Sequence, residues 1–270
     1  SCDMGYAEGC HRLHLLCAAA AKGADRPPWS AACRGAELLR RACDGRSARG
    51  CIALGDLLEQ REDKERAYRS AESLWAASCD QGAAHACRRL ALLYSEGVPG
   101  VARNPSRAVI HFDRGCERGD AMACTRIAHL YRTGSDVAEK RPDLALEKYK
   151  TACSLLQGDA CHQAAMMIRA GEGGAPDLPL VSTLLDQACD LHDAQACLEL
   201  GRMQHKTDLV AAKRWYTRAC SGCRSGPNHE ACAALGVMLV AERDPKEQQR
   251  GRDLLSSACK AGVPDACTPR

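Results

Sequence analysis

Residues 87–153 read CRRLALLYSEGVPGVARNPSRAVIHFDRGC, then ERGDAMA, then CTRIAHLYRTGSDVAEKRPDLALEKYKTAC. Two blocks of similar length each begin and end in cysteine, with seven residues between them. The arrangement extends along the chain of 270 residues. Cys2/Cys10, Cys43/Cys51, Cys79/Cys87, Cys116/Cys124, Cys153/Cys161, Cys189/Cys197 and Cys259/Cys267 lie eight apart, and Cys220/Cys232 twelve. The pairs recur about every 36 residues. A fixed period of roughly 20 to 50 residues marks a solenoid or array of small supersecondary units.

On one straight helix, cysteines eight apart would be roughly 12 Å from each other. A disulfide needs Cα atoms within about 7 Å. The chain must therefore reverse inside each pair, and each bond should tie the end of one helix to the start of the next. The intervening residues carry turn chemistry at Gln81-Gly82, Gly119-Asp120, Gly158-Asp159, His192-Asp193 and Gly262.

Between pairs, positions +3, +4 and +7 from the second cysteine are apolar or small, as in Leu54/Gly55/Leu58, Leu90/Ala91/Tyr94, Ile127/Ala128/Tyr131 and Leu235/Gly236/Leu239. These offsets define one helix face, and a small residue at +4 permits close helix approach. A polar or Gly/Pro-containing connector follows, and then a second helix runs into the next pair. The expectation is one all-α domain, 1–270, of about seven two-helix units: 10–43, 51–79, 87–116, 124–153, 161–189, 197–220 and 232–259.

Nineteen cysteines in a regular pattern read as a disulfide framework formed in an oxidising compartment. Cys17 and Cys33, outside the register, are expected to form a ninth bond across the first hairpin, leaving Cys223 unpaired. Cys220, Cys223, His229 and Cys232 have zinc-like spacing, but two of them hold staple positions, so no metal and no cofactor is expected. The chain starts without methionine and inside a cysteine pair, which suggests a mature or trimmed chain whose export signal is missing. No apolar run is long enough to span a bilayer. A net charge of +3 makes no electrostatic case for nucleic acid.

The two quoted blocks resemble Sel1-like repeats: leucine and a small residue, tyrosine, glycine, a variable loop, alanine-x-x-x-tyrosine, then alanine-cysteine. Ile168 and Gln204 replace the tyrosine in later units, and Cys17 does so in the first. The added cysteines resemble the subgroup of Helicobacter cysteine-rich proteins. The resemblance implies a right-handed αα-solenoid superhelix, related to TPR arrays and stapled by disulfides. It also implies an association with penicillin binding and weak β-lactamase activity. Ser257 and Lys260 form a lone Ser-x-x-Lys without the companion elements such hydrolases use, so no catalytic residue is named. Related repeats in cytochrome c oxidase assembly give a further alternative, a factor of the mitochondrial intermembrane space.

The leading expectation is a non-catalytic scaffold, periplasmic or secreted, binding a protein or peptide on the concave face of the solenoid. Positions +2, +5 and about +9 lie opposite the core face of each first helix. They supply the candidate peptide-binding residues Arg89, Arg126, His129, Gln163, Arg202 and His205.

Overall fold

The computed structural model describes residues 10–12, 35–135, 138–222 and 226–267. Its helices run α1 Gly35–Asp44, α2 Ala48–Leu57, α3 Arg61–Asp80, α4 Ala84–Glu96, α5 Pro105–Glu117, α6 Ala121–Thr133 and α7 Pro142–Ser154. They continue as α8 Gly158–Ala170, α9 Leu178–Asp190, α10 Ala194–Gln204, α11 Leu209–Cys220, α12 His229–Val240 and α13 Pro245–Lys260, before a 3-10 turn at Pro264–Ala266. Even-numbered helices are the first, and odd-numbered ones from α3 onward the second, of successive hairpins. The fold is an all-α solenoid of two-helix repeats. The chain divides into two compact units, Ser1–Ile127 with Ser135–Ala138, and Ala128–Gly134 with Glu139–Arg270.

Six of the reversals inside cysteine pairs share one geometry. The residue three beyond the first cysteine is left-handed: Arg46, Gly82, Gly119, Leu156, His192 and Gly262, with φ from 64° to 96°. Its N–H donates to the carbonyl of that cysteine, as from Leu156 to Cys153 at 2.9 Å. The next N–H reaches the carbonyl just before the cysteine, as from Gln157 to Ala152 at 3.1 Å. This is the Schellman arrangement, which ends a helix by satisfying its last carbonyls. The residue after the left-handed one precedes the following helix, and at three of the six its side chain caps that helix: Ser47, Asp120 and Asp193. Ser47 accepts from Gly50 N at 3.1 Å, and Asp120 from Ala123 N at 2.8 Å. A three-residue link thus closes one helix and opens another, bringing the cysteine Cα atoms to 4.5–4.9 Å.

Seven bonds have both cysteines among the described residues: Cys43–Cys51, Cys79–Cys87, Cys116–Cys124, Cys153–Cys161, Cys189–Cys197, Cys220–Cys232 and Cys259–Cys267. Cys10 is buried and also disulfide-bonded. Its expected pairing with Cys2 is not among those seven, because Cys2 lies outside the described residues. So do Cys17 and Cys33, expected to bond to each other, and Cys223, expected to be unpaired. Gly158, grouped with turn residues on sequence grounds, is instead the first residue of α8; the left-handed position there is Leu156.

Four of the second helices, α5, α9, α11 and α13, open on side-chain caps: Asn104, Asp177, Asp208 and Asp244 each accept a backbone N–H one turn in or less. Proline stands in the first turn of α5, α7, α9 and α13, where its missing N–H costs no intrahelical bond. Leucine, alanine and cystine fill the space between hairpins, with Leu90, Ala91, Ala128, Ala164 and Ala165 buried. The +4 position shows why it stays small. A Cβ on Gly55 would stand 2.8 Å from the Tyr68 ring, and one on Gly201 2.4 Å from Tyr216.

Candidate functional site

In the first unit the +2 and +5 positions of α4 and the start of α6 differ in what surrounds them. Arg126 is exposed. Arg89 is half-buried, and its enclosed Nε has no hydrogen-bond partner. Burial, then the neighbouring Arg88 and Arg49 cations, lower its pKa against a smaller opposing pull from Asp120. Next to it, Arg88 Nε donates to both Asp120 oxygens at 2.9 Å. Asp120 therefore caps α6 and holds α4 at once. Arg118, just past the end of α5, donates to the Cys79 carbonyl and lies 3.2 Å from Cys87 Sγ. His111 stacks on Tyr94 with ring centroids 5.6 Å apart.

In the second unit His129 is exposed, whereas Gln163 and Arg202 are engaged by neighbouring repeats. Arg132 Nη1 donates to Gln163 Oε1 at 2.9 Å, and its Nε to Glu172 at 2.9 Å. The bond from Arg132, ahead of burial, holds the Glu172 carboxyl below the usual range. One repeat later Arg169 donates to Glu199 at 2.7 Å. Arg202 donates to Glu199 at 3.1 Å and to Glu230 on α12 at 2.7 Å. Glu199 is only 9% exposed. Burial raises its pKa, but the bonds and charges of Arg169 and Arg202 outweigh that and leave it lowered.

His205 follows the last residue of α10 and tilts against Tyr216, centroids 5.9 Å apart. It stands at +8, the position of Arg132 and Arg169 in the two preceding repeats. His205 and Arg202 border a groove of about 480 Å³ floored by Leu198, Tyr216, Ala233, Ala234 and Val237, with Glu230 and Asp265 also on its rim. The structure thus brings Arg202 and His205 to one site. Glu199 and the arginines at +8 were missed as components; the repeat of Arg132 and Arg169 at one register was the available signal.

The other candidate chemistries have simple placements. Cys220 and Cys232 are bonded to each other, so neither is a free thiolate for zinc. Ser257 is exposed in the last turn of α13 beside the Cys259–Cys267 bond. Among the described residues no helix is long and apolar enough to cross a membrane.

The family model for the Sel1 repeat matches residues 84–120, 121–155, 194–222 and 229–263, just over half of the chain. The search of curated proteins gave no match. Among solved structures, a Sel1 repeat protein from Oxalobacter formigenes is similar at 19% identity and TM-score 0.58, over 98% of this chain and 86% of that one. The protein c5321, a protective antigen of uropathogenic Escherichia coli with an SLR fold, is similar at 16% identity and TM-score 0.59, over 98% of this chain and 63% of that one. Helicobacter pylori cysteine rich protein B aligns over 49% of this chain and 94% of its own at 20% identity, with a TM-score of 0.40 that is too loose for matching residues. With matching repeats in both units and hairpins stapled in one register from end to end of the described residues, the chain belongs to the Sel1 repeat family.

Proposed function

We propose that the chain is a non-catalytic scaffold that holds another protein or a peptide against its first helices, in an oxidising compartment such as a periplasm or the cell exterior. The observation that carries this reading is the groove of the second unit, with its apolar floor and its rim of Arg202, His205, Glu230 and Asp265. A concave apolar surface with a few placed polar groups is the usual form of a recognition site. The staples support the reading from the other side. They join each hairpin covalently to the next, so the exposed residues of the first-helix face, such as Arg126 and His129, can vary for a partner while the staples hold the repeats in register. The seven cystines with both halves among the described residues fit an environment in which thiols are oxidised.

Site-specific crosslinking tests the reading. A photoreactive benzoylphenylalanine is placed at Arg126 or Val237 on first helices, and at the exposed Lys150 or Arg214 on second helices as controls. In extract of the native compartment, adducts should form from Arg126 or Val237 and not from the controls. Equal labelling from all four positions, or from the controls alone, would remove the first-helix face as the binding surface.

A further inference from the structure

The second unit offers three successive first-helix interfaces that can be compared position by position. In the first two, the residue at +8 of one helix donates to the residue at +2 of the next. Arg132 of α6 reaches Gln163 of α8 at 2.9 Å, and Arg169 of α8 reaches Glu199 of α10 at 2.7 Å. In the third, from α10 to α12, the same positions hold His205 and Ala234. The guanidinium has become an imidazole, and the acceptor has become a methyl group. The groove opens where this link is lost, and both residues line it.

We infer that this groove is a subsite for an extended peptide carrying one Asp or Glu carboxylate beside an aliphatic side chain. The inference rests on the scaffold function proposed above. The carboxylate takes the place that Gln163 and Glu199 fill at the other two interfaces, accepting from His205 and from the solvent-facing part of Arg202. The aliphatic side chain covers Ala233, Ala234 and Val237. Of these, Ala234 stands where the earlier repeats carry the polar Arg89, Arg126, Gln163 and Glu199. Arg202 is held in position by Glu199 and Glu230, at 3.1 Å and 2.7 Å, so the cation does not have to be ordered by the ligand. Glu230 is already paired with Arg202 at 2.7 Å, and the single acceptor missing at Ala234 leaves a place for one acid only.

The experiment uses the full oxidised chain and fluorescein-labelled peptide pools of the form Gly-Gly-x-Glu-x-Gly-Gly, where x is Leu, Ile or Val. Matched pools carry Gln or Lys for Glu, and binding is read by fluorescence anisotropy. The Glu pool should bind, the Gln pool about tenfold more weakly because a bond to a charged acceptor is roughly twice as strong as one to a neutral acceptor, and the Lys pool, which offers no acceptor, more weakly still. His205→Arg should tighten the Glu pool by about three- to tenfold on the same ground. His205→Arg combined with Ala234→Glu rebuilds the link seen at the other two interfaces. It should abolish binding while circular dichroism and melting stay at or above the parent. His205 is exposed and Ala234 half-exposed, so both changes have room. Equal binding of the Glu and Lys pools, no binding of any pool at millimolar protein, or undiminished binding by the double variant would each overturn the inference. If the pools fail while crosslinking at Val237 persists, the carboxylate subsite falls and the scaffold function stands. If both fail, both fall.

Discussion

Gly201 tests whether the small residue at +4 is a packing requirement or a chance of composition. It lies inside α10, where alanine would ordinarily be the better residue by about 1 kcal/mol. Propensity alone therefore predicts that Gly201→Ala stabilises the protein. Packing predicts the reverse. The added Cβ would stand 2.4 Å from Tyr216 Cε1 and 2.6 Å from Cδ1, against a normal carbon–carbon separation of about 3.5–4.0 Å. The ring would have to retreat by more than an ångström (order of magnitude, from that gap), and it is 3% exposed with the backbone of a stapled repeat around it. Overpacking of this kind costs about 1–3 kcal/mol, and a rigid aromatic neighbour puts the cost near the upper end. The expected net is a loss of about 2 kcal/mol after the propensity gain is subtracted. Urea unfolding of the oxidised protein followed by circular dichroism measures it. The decisive arm is the background Tyr216→Ala, in which the obstacle is gone. There the same Gly201→Ala change should be stabilising by about 1 kcal/mol, giving a coupling of about 3 kcal/mol between the two positions. At Gly55 the nearest Tyr68 ring atoms stand at 2.8 Å, so Gly55→Ala should cost less than Gly201→Ala. A stabilising effect of Gly201→Ala in both backgrounds would falsify the packing argument.

Three further outcomes are expected. Leu156 holds the left-handed turn position at φ 64° while 73% exposed, so Leu156→Gly relieves strain and loses little packing; the melting temperature should rise, corresponding to about 0.5–1 kcal/mol. Removing the Cys153–Cys161 bond, separation eight residues, by the paired change to Ala should lower stability by about 2.5 kcal/mol on the chain-entropy account, with helical content retained at low denaturant. Glu199 has its folded pKa lowered below the ordinary value of 4.5, despite its burial, by Arg169 and Arg202. Its stabilisation is therefore present above that ordinary value and lost as pH falls through the folded one. Unfolding curves from neutral pH to about pH 3 should show a shallower acid loss in Glu199→Gln than in the parent.

The cysteine spacing made the hairpin register legible because a covalent bond imposes a distance, and that distance excludes a continuous helix. The left-handed position was legible by its place in the repeat but not by residue type. Gly82, Gly119 and Gly262 announce it, whereas Arg46, Leu156 and His192 occupy it with side chains that disfavour it, because the flanking helices and staple hold the turn closed. That is why Gly158, a good turn residue, was grouped with the reversal, although it begins α8. The face carrying +2 and +5 was equally readable from helical period. What each residue does there was not. Whether Arg132 meets Gln163, or Arg169 meets Glu199, depends on how far one helix is staggered along its neighbour, and the period within a single repeat contains no information about stagger. Gln163 and Arg202 therefore looked like free recognition groups and are in part links between repeats. The same stagger, once known, turns an ordinary difference at two positions into a functional statement. His205 and Ala234 replace the donor and acceptor that join the two preceding pairs of first helices, and under the inference above an incoming carboxylate takes the acceptor's place.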